Sequence, residues 1–168
     1  GDVRLIQALP TKGIYTLIIV LSKETRLNVG KLGVRKFPKG YYTYTGSALG
    51  KGATSLKQRV SRHLRKRKRN LWHIDFLLAN ENATVTAVIA AETSKKLECN
   101  MNRYIKGEGK AKAPVKGFGS SDCKEKCESH LLFFPDITKD LILVEKIVKC
   151  HRHFSLPIRI LRAQSRIY

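Results

Sequence analysis

The sequence predicts a compact α/β domain in which a small, mainly antiparallel sheet is flanked by helices. The 168 residues are a length typical of one domain, and an apolar fraction of 42% is sufficient for a hydrophobic core. Runs of β-branched and aromatic residues come first, and segments with helical periodicity follow them. The first runs are joined by short connections, which favours antiparallel neighbours because parallel strands need a long crossover.

The first quarter of the chain is rich in strand signals. Residues 13–21 are predicted as a buried strand because β-branched, aromatic and apolar residues follow one another without a break. Residues 25–29 are predicted as a second strand, and residues 34–37 as its continuation or a separate piece. After the turn signal at residues 38–40, residues 41–45 are predicted as a third strand.

A glycine-rich loop over residues 46–54 is predicted to lead into a helix capped by Thr54 or Ser55. Apolar residues then recur with the four-residue period of a buried helix stripe, at Leu56, Val60 and Leu64. The helix is expected to continue into the basic run at residues 65–69.

The rest of the chain is predicted to alternate between helices and strands. A short helix is expected at residues 72–78, strands at 85–90 and 130–134, and an exposed loop at 106–116. Two more helices are predicted from apolar stripes, formed by Leu97, Met101, Tyr104 and Ile105 and by Ile137, Leu141, Val144 and Val148. We expect a core domain over residues 1–135 and a basic helical extension over residues 136–168, packed on the core or on a partner.

Charge is the strongest global feature. The 33 Lys and Arg residues outnumber the 13 Asp and Glu residues, so the net charge of +20 favours a polyanionic partner such as DNA, RNA or an anionic membrane surface. No run approaches the ~20 apolar residues of a membrane span, and the first residues lack the ordered regions of a signal peptide. A cytoplasmic protein without a membrane partner is therefore expected, with its four cysteines as thiols or metal ligands.

A set of polar residues follows these elements in a distinctive order. Gly13-Ile14-Tyr15 opens the first strand, Tyr44-Thr45-Gly46 closes the third, Arg59 and His63 lie one helical turn apart, and Glu98 lies on a later helix. This order resembles the GIY-YIG nuclease superfamily, although Thr45 stands where isoleucine is usual.

The resemblance covers roughly residues 13–135 and extends to segments that are similar to one uncharacterised prokaryotic branch, whose members can be fused to endonuclease III-type DNA glycosylases. The shared segments are residues 37–48, Arg62-His63-Leu64, Trp72-His73-Ile74-Asp75, Glu98-Cys99 and residues 117–123. It implies a GIY-YIG-like fold and an endonuclease, a hydrolase that acts on DNA more than RNA and leaves 5′-phosphate and 3′-hydroxyl ends. The fusions suggest a DNA-repair enzyme as a partner, and a homodimer is left open.

The resemblance gives each catalytic residue a role. Glu98 would hold one Mg²⁺ or Mn²⁺ ion, and Tyr15 would be the general base, its anion stabilised by nearby cations. His63 would pass on the proton, Tyr44 would position the water and Arg59 would bind a phosphate oxygen. Each residue alone also fits a structural role. The alternative function is a non-catalytic DNA- or RNA-binding module, which has no use for Glu98.

The residues around the Arg59–His63 turn form a basic run that contains no acid between residues 57 and 69. Its predicted nucleic-acid-binding members are Lys57, Arg62, Arg65, Lys66, Arg67, Lys68 and Arg69. They would position a phosphate backbone without reading its sequence. A solvated basic face is the simpler interpretation.

The cysteines suggest a second site. Cys123-x-x-x-Cys127-x-x-His130 has a spacing compatible with zinc, and Cys99 is a candidate fourth ligand, which would make a structural Cys₃His site beside the helix of Glu98. Cys150 and His151 are alternative ligands, and unliganded thiols are the other interpretation.

Overall fold

The computed structural model describes residues 6–121 and 123–162. The predictions for the first five residues and for the end of the basic tail lie outside this part. The strands in the described part are β1 (Gly13–Leu21), β2 (Thr25–Asn28), β3 (Val34–Phe37), β4 (Gly40–Ala48), β5 (Ala83–Glu92), β6 (Leu131–Phe134) and β7 (Ile158–Arg162). Five of them form an antiparallel sheet in the order β6-β4-β1-β5-β7. The predicted α/β class with a mainly antiparallel sheet is confirmed.

Strand β1 lies at the centre of the sheet, which explains its unbroken apolar sequence. Its side chains alternate between two core clusters, so that Tyr15, Leu17 and Ile19 face one cluster while Ile14 and Ile18 face the other. Both faces of the strand are therefore buried, so most of its residues are apolar, and the hydroxyl of the buried Thr16 is hydrogen-bonded within the core.

Strands β2 and β3 form a separate two-stranded hairpin rather than part of the main sheet. The short connections at residues 22–24 and 38–39 do not join paired strands, because β1 pairs with β4 across the whole hairpin. Local strand propensity predicts the strands but not which strand each will pair with, since pairing depends on how the two core faces are covered.

Within the described ranges, four helices cover the two faces of the sheet. Helices α1 (Leu56–Leu64) and α2 (His73–Leu78) pack on the face of Tyr15, and α3 (Glu98–Gly109) and α4 (Asp140–His153) pack on the other. Ser55 caps α1, since its hydroxyl accepts a hydrogen bond from the Gln58 amide at 3.3 Å. None of the helices within the described ranges is long and apolar enough to cross a membrane.

Several predicted boundaries are wrong. The chain leaves α1 at Leu64 because Arg65 has an extended backbone conformation, so the basic run at residues 65–69 is not helical. Residues 46–48 belong to β4 rather than to the glycine-rich loop. The predicted exposed loop at residues 106–116 begins inside α3, and its Ala111 and Val115 are buried.

The tail packs on the core through α4 and β7. The buried face of α4 contains Val144 and Val148 as expected, but Leu141 is 52% exposed because Leu143 and Ile147 take the inner positions. Strand β7 was not predicted at all, and it extends the sheet beside β5. Residues 136–162 thus contribute a strand and a helix to the same fold, rather than a helical extension alone.

Candidate active site and metal cluster

The five predicted catalytic residues line one cavity of about 290 Å³. Tyr15 comes from β1, Tyr44 from β4, Arg59 and His63 from α1, and Glu98 from the start of α3. Although α3 packs on the opposite face of the sheet, its first residue lines the same cavity. Four separate elements therefore bring these side chains together.

The two motif glycines have steric reasons to be glycine. Tyr15 and Gly46 are directly opposite in the β1–β4 pair, and a Cβ atom on Gly46 would lie 2.6 Å from the Tyr15 hydroxyl oxygen. A Cβ atom on Gly13 would lie 2.0 Å from the Ala91 carbonyl oxygen. Gly46 thus lets the Tyr15 ring lie across β4, and Gly13 lets β1 approach β5 closely.

Tyr15 and His63 form a buried hydrogen-bonded pair. The Tyr15 hydroxyl lies 2.8 Å from His63 Nε2, and both residues are almost fully buried. Burial lowers the pKa of His63 to about 3, so the imidazole is neutral. Burial, followed by the nearby Tyr44, also raises the pKa of Tyr15 and outweighs the opposing effect of the Arg59 charge. Arg59 thus stabilises the Tyr15 anion, but burial outweighs this effect and the phenol is protonated.

Arg59 is held against the cavity wall. Its guanidinium donates a hydrogen bond to the Ser47 carbonyl at 2.7 Å and lies 5.1 Å from the centre of the Trp72 ring. The Arg62 guanidinium lies 4.2 Å from the same ring. Trp72 also lines the cavity.

Glu98 presents a carboxylate oxygen that lacks a partner. The residue is 7% exposed, and no donor among the described residues reaches its buried Oε2 atom. Its Oε1 atom lies 4.0 Å from the ammonium nitrogen of Lys96, a cavity residue that the sequence analysis missed. The only sequence signal for Lys96 was its position two residues before Glu98. An unpaired buried carboxylate oxygen is costly, so this atom is suited to a bound cation.

The model for a domain of unknown function, DUF123, matches residues 14–154. The chain belongs to the DUF123 family. The match spans both the cavity and the cysteine cluster described below. No curated protein and no solved structure matches the chain significantly.

The DUF123 domain also contains a Cys₃His cluster that can hold a metal ion. The ligand atoms of Cys99, Cys123, Cys127 and His130 all lie within 4.8 Å of one another. The Cys99 sulfur is 3.3 Å from the Cys123 sulfur and 3.6 Å from His130 Nε2. Tetrahedral coordination with metal–sulfur bonds of about 2.3 Å requires sulfur atoms roughly 3.8 Å apart, so small movements would complete the site.

The chemistry of the cluster suits metal coordination. Burial lowers the pKa of His130, which keeps the imidazole neutral and able to coordinate. Burial also raises the pKa of Cys99, so a bound cation is needed to make this thiol ionise. His151, a predicted alternative ligand, instead bonds to the Thr16 hydroxyl at 2.9 Å in the core.

The cluster and the cavity share a wall. His130 lines the cavity and is also a member of the cluster. Cys99 directly follows Glu98 in the first turn of α3. A metal in the cluster would therefore fix the position of the helix end that carries Glu98.

Several members of the predicted basic surface have partners within the domain. Arg62 donates to both carboxylate oxygens of Asp75 at 2.7 and 2.8 Å. The Lys66 ammonium donates to three backbone carbonyls, of Leu78, Asn80 and Ala83. The Lys68 ammonium donates to the carbonyls of His63 and Arg65. Exposed side chains remain at Arg65, Arg67 and Arg69, while Lys57 is half-buried.

Proposed function

We propose that this DUF123 domain is a GIY-YIG-type endonuclease that hydrolyses nucleic acid, DNA in preference to RNA, with a divalent metal ion. The observation that carries the proposal is the convergence of Tyr15, Tyr44, Arg59, His63 and Glu98 on one cavity. The order of the motifs in the sequence does not by itself require these side chains to lie in one cavity, because any of them could have a structural role elsewhere.

Glu98 would hold the metal. Its unpaired Oε2 atom needs a positive partner, and a single carboxylate suits Mg²⁺ or Mn²⁺, which take oxygen ligands and keep several waters. Bound there, the cation would stabilise charge on the leaving oxygen and make a bound water more acidic.

Tyr15 and His63 would act as a proton relay. The attacking water gives a proton to the Tyr15 oxygen while the phenol proton moves along the 2.8 Å hydrogen bond to His63 Nε2. No resting phenolate is needed, which agrees with the raised pKa of Tyr15. An anionic phosphate in the cavity would raise the pKa of His63 and make it a better acceptor.

The remaining groups would bind the phosphate. Arg59 uses one N–H group on the Ser47 carbonyl, and its other N–H groups can donate to a non-bridging phosphate oxygen. Lys96 adds a second positive charge at the rim of the cavity. As the water oxygen bonds to phosphorus, the bond to the 3′ oxygen breaks, and that oxygen takes a proton from solvent. The products are a 5′-phosphate and a 3′-hydroxyl.

A cleavage assay tests the proposal. Purified protein is incubated with labelled single-stranded, duplex, flapped, branched and RNA substrates in Mg²⁺, in Mn²⁺ and in EDTA. We expect metal-dependent nicking that Glu98→Gln and Tyr15→Phe abolish, whereas the matched controls Glu108→Gln, on the exposed part of α3, and Tyr41→Phe, on β4, retain it. Tight binding without cleavage in any metal would instead support the non-catalytic binding module.

We also infer that the Cys₃His cluster binds zinc in a structural role. Three thiolates and one imidazole make a closed four-ligand set, which is typical of structural zinc. Elemental analysis of purified protein is expected to find about one zinc ion per chain. Cys123→Ser should lose the metal while Cys150→Ser, outside the cluster, should keep it. A folded wild-type protein without metal would contradict the inference.

A further inference from the structure

The β2–β3 hairpin carries a strong positive charge outside the cavity. Between residues 23 and 39 there is one acid, Glu24, and six bases: Lys23, Arg26, Lys31, Arg35, Lys36 and Lys39. All six basic residues are exposed. Lys36 lies 3.3 Å from Glu24, but both side chains are more than half exposed, so this pair neutralises little of the charge.

The arrangement of these charges destabilises the folded hairpin. Arg26 and Lys36 are directly opposite in the hairpin, and like charges opposite each other destabilise a strand pair. Leu27 and Phe37 point towards the core from the other face. Arg35, directly opposite Leu27, starts from that face but is exposed. The outward face of the ribbon thus holds like charges side by side, and a polyanion bound there would relieve their repulsion.

The hairpin is fixed to the wall of the cavity. Phe37 is fully buried and packs edge-on against Phe118, with ring centres 6.0 Å apart. Gly119, one residue further on, lines the cavity, and its amide donates a hydrogen bond to His73 Nδ1 at 2.9 Å. The hairpin also contacts α2, which begins beside the cavity residue Trp72. The basic ribbon therefore has a defined position relative to the candidate active site.

We propose that the β2–β3 hairpin binds the backbone of duplex DNA that flanks the cleavage site. This inference rests on the proposed function. The major groove of B-form DNA, about 12 Å wide, admits a two-stranded ribbon, and basic side chains on both strands can then reach the phosphates on either side. The major groove of an RNA duplex is too deep and narrow for this arrangement.

The test compares two triple variants that lower the net charge equally. One is Arg26→Gln/Arg35→Gln/Lys36→Gln in the hairpin. The control is Lys149→Gln/Arg152→Gln/Arg159→Gln, three exposed residues of α4 and the edge strand β7. Both are made in the Glu98→Gln background, and binding to duplex DNA is measured in EDTA by fluorescence anisotropy at several salt concentrations.

Each lost phosphate contact lowers the slope of log affinity against log salt by about 0.9 for duplex DNA. We therefore expect the hairpin variant to lose about 2 to 3 units of slope and the control to lose less than 1. Arg26→Lys/Arg35→Lys keeps the charge and should keep the wild-type slope, which separates lost contacts from a disturbed fold. Equal losses in the two triple variants would overturn the inference, as would an equal effect of the hairpin variant on single strands or RNA duplexes.

The outcomes separate this inference from the proposed function. If the wild type cleaves DNA but the hairpin variant binds like the control, the nuclease stands and the hairpin surface is refuted. If no substrate is cleaved but the hairpin variant alone loses salt dependence, the binding surface stands without the nuclease.

Discussion

Gly46→Ala should damage the candidate site through one steric contact. The added methyl carbon would lie 2.6 Å from the Tyr15 hydroxyl oxygen and 2.8 Å from the Cζ atom of the ring. Tyr15 is 2% exposed, so its ring has little free space into which it can move. We therefore expect the ring to shift and the hydrogen bond to His63 to be lost.

The size of the effect follows from the packing. Overfilling a tightly packed site costs about 1 to 3 kcal/mol of unfolding free energy. A displacement of about 1 Å in a reacting group can slow catalysis by about 100-fold. Gly46→Ala is thus expected to lose most nicking activity while the protein remains folded.

Urea unfolding and nicking rates measure these effects. Tyr15→Phe removes the nearest atom of the clash but leaves Cζ at 2.8 Å, so Gly46→Ala should destabilise the Tyr15→Phe protein less than the wild type. The control is Gly107→Ala in α3, where an added methyl would meet no atom within 4 Å among the described residues and should not destabilise the helix. An equal stability loss in the wild-type and Tyr15→Phe backgrounds would refute the proposed contact.

Two further predictions concern stability. Asp75→Ala leaves Arg62 without its buried partner and should lower the free energy of unfolding in urea by about 3 to 5 kcal/mol. The control Glu24→Gln, which removes the exposed partner of Lys36, should lower it by less than about 1 kcal/mol. Similar losses in the two variants would contradict the larger contribution assigned to the buried pair. Burial lowers the pKa of His151 from 6.5 to about 3, so on acidification the unfolded chain takes up this proton before the folded protein does. The free energy of unfolding therefore decreases as the pH is lowered between these values, by up to about 1.4 kcal/mol per pH unit. His151→Gln should reduce that slope, and an unchanged slope would show that His151 is not the group responsible.

Elements with a strong local pattern could be predicted from the sequence. The mostly apolar run of β1 indicates a strand that is buried on both faces, and the four-residue apolar period of α1 indicates a helix that is buried on one face. Strand β7 could not be found this way, because only Leu161 of its five residues is buried and a short edge strand carries little alternation. The separate β2–β3 hairpin was also missed as such, since strand propensity does not identify a pairing partner.

The membership of the candidate site could be predicted better than its chemistry. Motif order selected Tyr15 and His63, and the fold brings them within hydrogen-bonding distance. The direction of their pKa shifts depends on how deeply the fold buries them, which no local pattern reports. For the same reason the sequence did not reveal that the Lys66 ammonium is occupied by three backbone carbonyls.

The most direct test of the central claim is the single-turnover rate of nicking as a function of Mg²⁺ concentration. The wild type and Glu98→Gln would be compared on a labelled duplex that both proteins bind with the same affinity. We expect a rate that saturates with Mg²⁺ for the wild type and no cleavage above background for Glu98→Gln at any concentration. Cleavage that is independent of Mg²⁺, or that survives in Glu98→Gln, would contradict the assignment of Glu98 as the metal ligand of a nuclease.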